Sequence, residues 1–92
     1  MVAALNDDQE VDATLRAVLV DVLGLGVDQV AAFTDSTALF GDLPEFDSMA
    51  VAGLLSELEE RLGILIEDDE VDADMLESYG RLLTFLRAKA LR

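Results

Sequence analysis

The sequence predicts an all-α protein, a small helical bundle with a long loop between its first two long helices. Three stretches repeat apolar residues every three or four positions, which is the spacing of one face of a helix. No stretch alternates apolar and polar residues as a half-buried strand does. The chain has 92 residues, enough for one hydrophobic core, so residues 1–92 are predicted to form a single domain.

The first long helix is predicted over residues 9–24. Asp7 and Glu10 have the spacing of a capping pair at its start, and Gly24 and Gly26 supply stop signals at its end. The apolar stripe of this helix consists of Val11, Leu15, Val18, Leu19 and Val22.

Residues 26–46 show no sustained period and include the only proline, Pro44. They are predicted to form an ordered loop with a short helical turn near residues 28–32. The apolar residues expected to fix this loop to the core are Val30, Phe33, Leu39, Phe40, Leu43 and Phe46. A loop of about 20 residues in a domain this small is more often functional than merely connecting.

The second long helix is predicted from Asp47 or Ser48 to about Leu62, with Gly63 as its stop signal. Its apolar stripe consists of Val51, Leu54, Leu55, Leu58 and Leu62. An acidic linker follows, and a short helix is expected within it near residues 72–76.

The last helix is predicted from its cap, Ser78, to about Leu91. Its inward-facing residues are expected to be Tyr79, Leu82, Leu83 and Leu86. Four cations suit this helix because most of them lie near its C-terminal, negative end: Arg81, Arg87, Lys89 and Arg92.

The charge of the chain is strongly negative and unevenly placed. Twenty acidic and 6 basic residues give a formal charge of −14, and residues 42–77 contain a single basic residue, Arg61. Such a surface repels nucleic acids and anionic lipids and attracts basic partner proteins. No apolar run approaches the roughly 18–20 residues that cross a membrane. Residues 1–10 lack the pattern of a secretory signal, so a cytoplasmic location is expected.

The composition argues against an enzyme, and no catalytic residue is predicted. The chain has no histidine and no cysteine, and its one lysine, Lys89, lies far along the chain from the serine considered next. A nucleophilic serine would therefore lack its usual base. Residues 68–79 superficially suggest a calcium-binding loop, but Ala73 replaces the required glycine and Tyr79 the bidentate glutamate. No metal site is predicted.

Ser48 is the residue on which the functional interpretation depends. As a structural residue, it would simply cap the second long helix together with Asp47. As a functional residue, it would present a hydroxyl at an exposed turn as an attachment point. The positive end of a helix also favours an attached phosphate group.

The sequence resembles the acyl carrier proteins over nearly its whole length. The motif Asp47-Ser48-Met49 is similar to the family's Asp-Ser-Leu attachment motif, with methionine in place of the usual leucine. Three further segments support the resemblance: LGVDQV at residues 25–30, LFGDL at residues 39–43 and LEERLGILI at residues 58–66.

The resemblance implies a four-helix bundle forming one acyl carrier domain, with an attachment-site helix over about residues 47–62. Ser48 would receive 4′-phosphopantetheine from coenzyme A through a phosphopantetheinyl transferase, and Asp47 and Met49 would flank it. The thiol of this arm would carry acyl groups as thioesters, and separate enzymes would supply the catalysis. The acyl chain would shelter among Leu54, Leu55, Leu58 and Ile64.

The resemblance also implies partners with basic patches that dock on the acidic second helix through Glu57, Glu59 and Glu60. These partners would be the transferase, an acyl-loading ligase or acyltransferase, and downstream synthase or transferase enzymes. The protein itself is expected to be a monomer that binds no nucleic acid and has no membrane span.

Two departures from general fatty-acid carriers indicate a dedicated biosynthetic pathway. Ala50 and Gly53 are uncharged where such carriers usually have acidic residues, and the approach to the motif is one residue longer and includes Phe46. Two other functions stay open. The main alternative is an acidic adaptor that binds a basic partner and is never modified, and the lesser one is an inhibitor that mimics nucleic acid.

Overall fold

The computed structural model describes residues 8–40, 43 and 46–91, and its regular structure there is helical. The helices are α1 (Asp8–Leu23), α2 (Val27–Ala31), α3 (Ser48–Leu62) and α4 (Tyr79–Ala90), with a 3₁₀ helix at Asp68–Glu70. Within the described residues, strand-like pairing is confined to one isolated bridge. The all-α prediction is therefore confirmed. In the same part of the chain, no helix is long and apolar enough to cross a membrane.

The three long helices bury the apolar stripes that the sequence predicts. Helix α1 packs against α2, α3 and α4, so it is the central element of the bundle. Its stripe is fully buried except for Val22, which is half-buried. The stripes of α3 and α4 are also buried and complete a core that includes Leu54, Leu58, Leu82 and Leu86. Burial of each such leucine stabilises the fold by about 1.5–3 kcal/mol relative to full exposure.

Helix α3 begins and ends where the sequence predicts. Asp47 is its N-cap and accepts a hydrogen bond from the Ala50 amide, while Gly63 ends it in the left-handed conformation with φ of 65°. Glycine adopts this conformation without the clash that a β-carbon causes. Ser78 likewise caps α4 by accepting a hydrogen bond from the amide of Arg81. The predicted contributions of Asp7, Pro44 and Arg92 concern residues outside the described part of the chain.

The loop between α1 and α3 is interrupted by α2, close to the predicted helical turn. Val30, Phe33, Leu39 and Phe46 are buried as predicted, and Leu43 is half-buried. The prediction for Phe40 is wrong, because 43% of its surface is exposed.

The short helix expected near residues 72–76 is absent there, and residues 73–76 form turns. The 3₁₀ helix instead occupies Asp68–Glu70, where Glu67 and Glu70 form a reciprocal capping box. This pair is three residues apart, which is the spacing of a capping box, although the usual first residue is serine or threonine.

Backbone hydrogen bonds fix the second half of the loop between α1 and α3 to the start of α4. The Leu39 amide donates to the Glu77 carbonyl at 2.9 Å, and the Phe40 amide donates to the Leu76 carbonyl at 3.1 Å. The Tyr79 amide in turn donates to the carbonyl of Thr37 at 2.8 Å. Because these amides pair across a long separation in sequence, the segment at the start of α4 and local turns together set the path of the loop.

A polar cluster joins α1, α2 and α4. Arg16 donates to the carbonyls of Val30 and Phe33 at 2.6 and 3.2 Å, and so binds acceptors at the C-terminal end of α2 and just beyond it. Its guanidinium lies 4.7 Å from the centre of the Tyr79 ring and pairs with Asp12 at 3.0 Å. The Tyr79 hydroxyl donates to the Asp12 carboxylate. Cations at a helix C-terminus also interact favourably with its dipole.

Asp12 and Tyr79 shift each other's proton affinity. Burial by itself would raise the pKa of Asp12, but the hydrogen bonds from Tyr79 and Arg16 and the charge of Arg16 outweigh it. The pKa of Asp12 therefore lies below its ordinary value of 3.8. Burial, followed by the hydrogen bond to Asp12, raises the pKa of Tyr79, so its hydroxyl keeps its proton.

We expect Asp12→Asn to destabilise the fold by about 1–2 kcal/mol at pH 7, because a charge-assisted hydrogen bond and an ion pair are weakened. A carboxyl group with a lowered pKa stabilises the fold above its unfolded-state pKa, and that stability is lost as the pH falls through its folded-state pKa. The difference between variant and wild type should therefore shrink below about pH 4. Urea unfolding of both proteins at pH 7 and pH 3 measures this difference in the free energy of unfolding.

The matched control is Asp69→Asn, which removes an exposed carboxylate from the 3₁₀ helix. It should change the stability by no more than about 0.5 kcal/mol at either pH. A penalty for Asp12→Asn that persisted unchanged at pH 3 would contradict the role assigned to its carboxylate.

Candidate functional site

Ser48 is the first residue of α3, and it is exposed. The cap of this helix is Asp47, whose Oδ1 accepts a hydrogen bond from the Ala50 amide at 2.9 Å. Ser48 therefore does not cap the helix, and the structural role that the sequence left open for it is wrong. Its hydroxyl is presented to solvent with no hydrogen bond to any described residue.

The start of α3 suits an attached anion. The first turn of the helix contains no acidic residue, so Asp47 alone offsets the positive end of the helix from within the motif. Among the described residues, the amides of Ser48 and Met49 have no acceptor, as expected for the first two positions of a helix. A phosphodiester on the Ser48 hydroxyl would lie next to these donors. The residues present thus fit a phosphate-linked group.

A buried aromatic residue fixes the entry to this helix. Phe46, just before the cap, is 2% exposed, and Val51 is 8% exposed. These are the two positions of a hydrophobic staple, which sets the angle at which the chain enters a helix. The amide of Phe46 also donates to the carbonyl of Leu43 at 3.0 Å. Ser48 therefore stands on a firmly anchored turn.

Met49 is 85% exposed, more than any other large hydrophobic residue in the described part of the chain. It directly follows Ser48, the predicted attachment residue, and stands where the family usually has leucine. An apolar side chain this exposed contributes little to the core. Asp47, Ser48 and Met49 are thus consecutive and all exposed, and Asp47 alone also caps the helix.

The three predicted docking glutamates differ in their surroundings. Glu57 pairs with Arg61 at 2.9 Å, and Arg61 also binds Asp21 of α1 at 2.8 Å. Glu59 turns back to accept a hydrogen bond from the Ile66 amide at 2.7 Å, so its carboxylate secures the loop after α3. Glu60 is exposed and has no polar partner among the described residues. Sequence spacing could not distinguish these three environments.

Three of the four residues of the predicted acyl shelter are buried in the core, and the fourth, Ile64, lines a mainly polar cleft of about 370 Å³ after the end of α3. Leu54 and Leu58 are fully buried, Leu55 is nearly so, and Ile64 is half-buried. A mainly apolar cleft of about 460 Å³ lies instead between α1 and α2. It is lined by Ala13, Arg16, Ala17, Val20, Asp21, Val27, Val30 and Ala31. The position of an acyl cavity therefore stays a prediction.

Comparison with known proteins agrees with this geometry. Residues 13–86 match the family described as "Phosphopantetheine attachment site". The fold is similar to the solution NMR structure of a holo acyl carrier protein from Nitrosomonas europaea, with a TM-score of 0.76 and 39% sequence identity. That similarity covers 87% of this chain and 94% of the other. No protein of curated function matches the chain.

Proposed function

Because the chain belongs to the acyl carrier protein family, we propose that it carries acyl groups as thioesters on a phosphopantetheine arm attached to Ser48. The protein is a carrier and not an enzyme, and its cofactor is covalently attached 4′-phosphopantetheine. When attached, the arm supplies the thiol that this cysteine-free chain lacks. The chain's own residues supply an accessible hydroxyl and the helix end that holds the phosphate.

The exposure of Ser48 beside an independent cap carries the proposal. Asp47 satisfies the amide of Ala50, so α3 gains no cap from the Ser48 hydroxyl. A hydroxyl with no structural task, placed at the positive end of a helix, is well suited to form a phosphodiester. Attachment would join the Ser48 oxygen to the phosphate that bears pantetheine in coenzyme A, break the bond of that phosphate to the adenosine phosphate, and release adenosine 3′,5′-bisphosphate and the hydroxyl proton.

We further propose a dedicated biosynthetic pathway rather than general fatty-acid synthesis. Two positions on the N-terminal half of α3, Ala50 and Gly53, carry no charge. Gly53 is exposed, and a β-carbon there would meet its nearest neighbour, Val22, at an ordinary 3.5 Å. Packing therefore does not require glycine at this position, which supports altered partner recognition as the reason for its lack of charge.

Intact-mass measurement tests the proposal. The purified chain is incubated with coenzyme A and a broad-specificity phosphopantetheinyl transferase, and we expect it to gain one phosphopantetheine group. Fragmentation of the modified peptide should place that group on Ser48 rather than on Ser36, Ser56 or Ser78. An unmodified chain, in a reaction that converts a control carrier, would instead favour the acidic adaptor.

Partner enzymes are proposed to dock on the acidic surface of α3, and Glu60 is the residue that tests this most cleanly. Its carboxylate is exposed and makes no contact that a lysine would break. Glu60→Lys should lower kcat/KM for the transferase severalfold at low salt, because charge complementarity mainly accelerates association. The loss should shrink near 1 M salt, where charges are screened within about 3 Å.

Two further variants separate docking from folding. Asp28→Lys makes the same charge change on α2, at an exposed position, and should leave kcat/KM within about twofold of wild type. Glu59→Gln keeps an oxygen for the Ile66 amide and should leave the fold intact. Equal losses for Glu60→Lys and Asp28→Lys would contradict a docking surface centred on α3.

The partner enzymes, the oligomeric state and the location of the protein are also proposed. The loading ligase or acyltransferase and the downstream synthase or transferase enzymes are proposed to bear basic patches that complement the charge of −14. A monomeric state and a cytoplasmic location stay predictions. Size-exclusion chromatography with light scattering checks the first, and fractionation of the source cells checks the second.

A further inference from the structure

We propose that Phe40 is a specificity-determining contact for the phosphopantetheinyl transferase, whose apolar side chains would cover the exposed part of its ring. This inference rests on the proposed modification of Ser48. The sequence predicts Phe40 as an anchor of the loop, yet 43% of its surface is exposed while the other aromatic residue of the same loop end, Phe46, is buried. Aromatic residues are enriched in protein interfaces, so a partly exposed phenylalanine close to the proposed attachment residue is suited to contact the enzyme that modifies it.

Phe40 is held in place although its ring faces solvent. Its backbone amide donates to the Leu76 carbonyl at 3.1 Å, which ties it to the segment before α4. Its ring meets the Phe46 ring edge to face, with the centroids 6.2 Å apart and the planes at 74°. An aromatic surface that is already ordered loses little conformational entropy when a partner covers it.

The Phe40 ring also lies close enough to Ser48 for a transferase bound there to contact it. Phe46 is two residues before Ser48, and two residues span at most about 7 Å. With the 6.2 Å between the rings and the reach of the Phe46 side chain, the Phe40 ring is no more than about 17 Å from the Ser48 Cα. A standard interface covers about 800 Å² of each partner, a disc of about 16 Å radius. Even at this greatest distance the Phe40 ring lies at the rim of an interface centred on Ser48, and at any shorter distance it lies within that interface.

The chemistry of the contact follows from its two apolar members. Met49 and Phe40 are both exposed. Met49 directly follows Ser48 in the chain, and Phe40 packs against the ring of Phe46, two residues before Ser48. A partner that offered only basic groups would cover both apolar side chains with polar surface and would gain no apolar contacts from them. Aromatic residues are also enriched among the interface residues that contribute most to affinity.

Transferase kinetics with Phe40 variants test this inference. Phe40→Ala should raise the KM for the carrier about five- to thirtyfold and change kcat less than twofold, since the contact binds the substrate protein and does no chemistry. Phe40→Leu should restore most of the affinity. The effect should be the same at about 0.1 M and about 1 M salt, unlike an effect of surface charge.

Leu65→Ala is the matched control, because Leu65 is an exposed apolar residue beyond the far end of α3. At 1.5 Å per residue, α3 is about 22 Å long, and Leu65 follows the end of α3 opposite Ser48. Its replacement should leave the KM unchanged. Thermal unfolding of each variant, followed by circular dichroism, must show that it is folded at the assay temperature.

Each outcome is decisive. A raised KM with unchanged kcat in folded Phe40→Ala, together with recovery in Phe40→Leu, supports the inference. An unchanged KM, while wild type is modified at Ser48, overturns the inference and leaves the proposed function intact. If Leu65→Ala and Phe40→Ala raise the KM equally, the inference is likewise overturned and the proposed function stays intact. If wild type is not modified, the proposed function and this inference both fall.

Discussion

Ser48→Ala is expected to abolish phosphopantetheine attachment while leaving the stability of the bundle within about 0.5 kcal/mol of wild type. The hydroxyl oxygen is the nucleophile of the proposed attachment, and alanine has none. The cap of α3 is unaffected because Asp47 provides it. Alanine at the first helical position is also a good helix former. Intact mass and chemical unfolding measure the two halves of this prediction.

Two matched variants separate the hydroxyl from its surroundings. Ser56→Ala removes an exposed hydroxyl from the same helix and should be modified at the wild-type rate. Asp47→Ala removes the cap and should destabilise the fold by about 1 kcal/mol, but it keeps the nucleophile and should still be modified. Attachment that persisted in Ser48→Ala would assign the arm to another residue and sink the proposed site.

Ser48→Asp distinguishes a carrier from an unmodified adaptor. Aspartate is tolerated in the first turn of a helix, where its charge complements the dipole, so the fold should survive. An adaptor would keep its binding to a basic partner, since its surface gains one further negative charge. A carrier would lose its thioester function completely. Because the bundle is expected to stay folded, the loss could not be attributed to unfolding.

Gly80→Ala is expected to destabilise the protein by about 1–3 kcal/mol, although alanine normally stabilises a helix relative to glycine. A β-carbon on Gly80 would lie 2.7 Å from the carbonyl oxygen of Asp35 and 3.0 Å from its Cα. These are mainly backbone atoms, which cannot turn aside as a side chain can. The amide of Gly80 also donates to that same carbonyl at 3.0 Å, so the two segments are held together.

Thermal unfolding checks this prediction, and the midpoint should fall by roughly 5–15 °C for a domain of this size. Gly53→Ala is the control, because its β-carbon would meet only the Val22 side chain at an ordinary 3.5 Å. That variant should be more stable than wild type by about 0.5–1 kcal/mol. If both glycine variants shifted the midpoint upward, the close approach of Asp35 to α4 would be wrong.

The Gly80 prediction also bears on the site. The segment that approaches α4 at Gly80 continues into Leu39 and Phe40, which pair with the residues just before that helix. Displacing Asp35 should therefore disturb the position of Phe40. We expect Gly80→Ala to raise the KM of the transferase as well as to lower stability, whereas Gly53→Ala should not lower stability.

Much of the fold could be predicted because local chemistry determines it. Asp47 and Ser78 cap helices whose apolar stripes begin within the next few residues, and Gly63 ends α3 in a conformation that favours glycine. These signals act within one or two turns of the chain, so they can be read without knowing the neighbours. The attachment motif could be predicted for the same reason, since it occupies three consecutive residues at a helix start.

Other features could not be predicted because they depend on contacts between distant segments. The sequence treats Phe40 and Phe46 as equivalent anchors, but only Phe46 lies where the start of α3 meets the core, and Phe40 is left partly exposed. Glu59 looks like any exposed carboxylate until the loop after α3 turns back and brings the Ile66 amide to it. Spacing along a helix indicates which face of the helix a residue occupies, but not which distant group its side chain binds.

The sequence by itself determined the helices, the buried stripes, the negative charge and the candidate attachment residue, because helix signals and burial patterns act over a few residues. Only the tertiary structure decided that Arg16 binds the end of α2, that Glu59 accepts a hydrogen bond from the Ile66 amide, and that Phe40 is exposed. Each of these depends on which donor, acceptor or apolar surface arrives from elsewhere in the chain, and packing alone determines that.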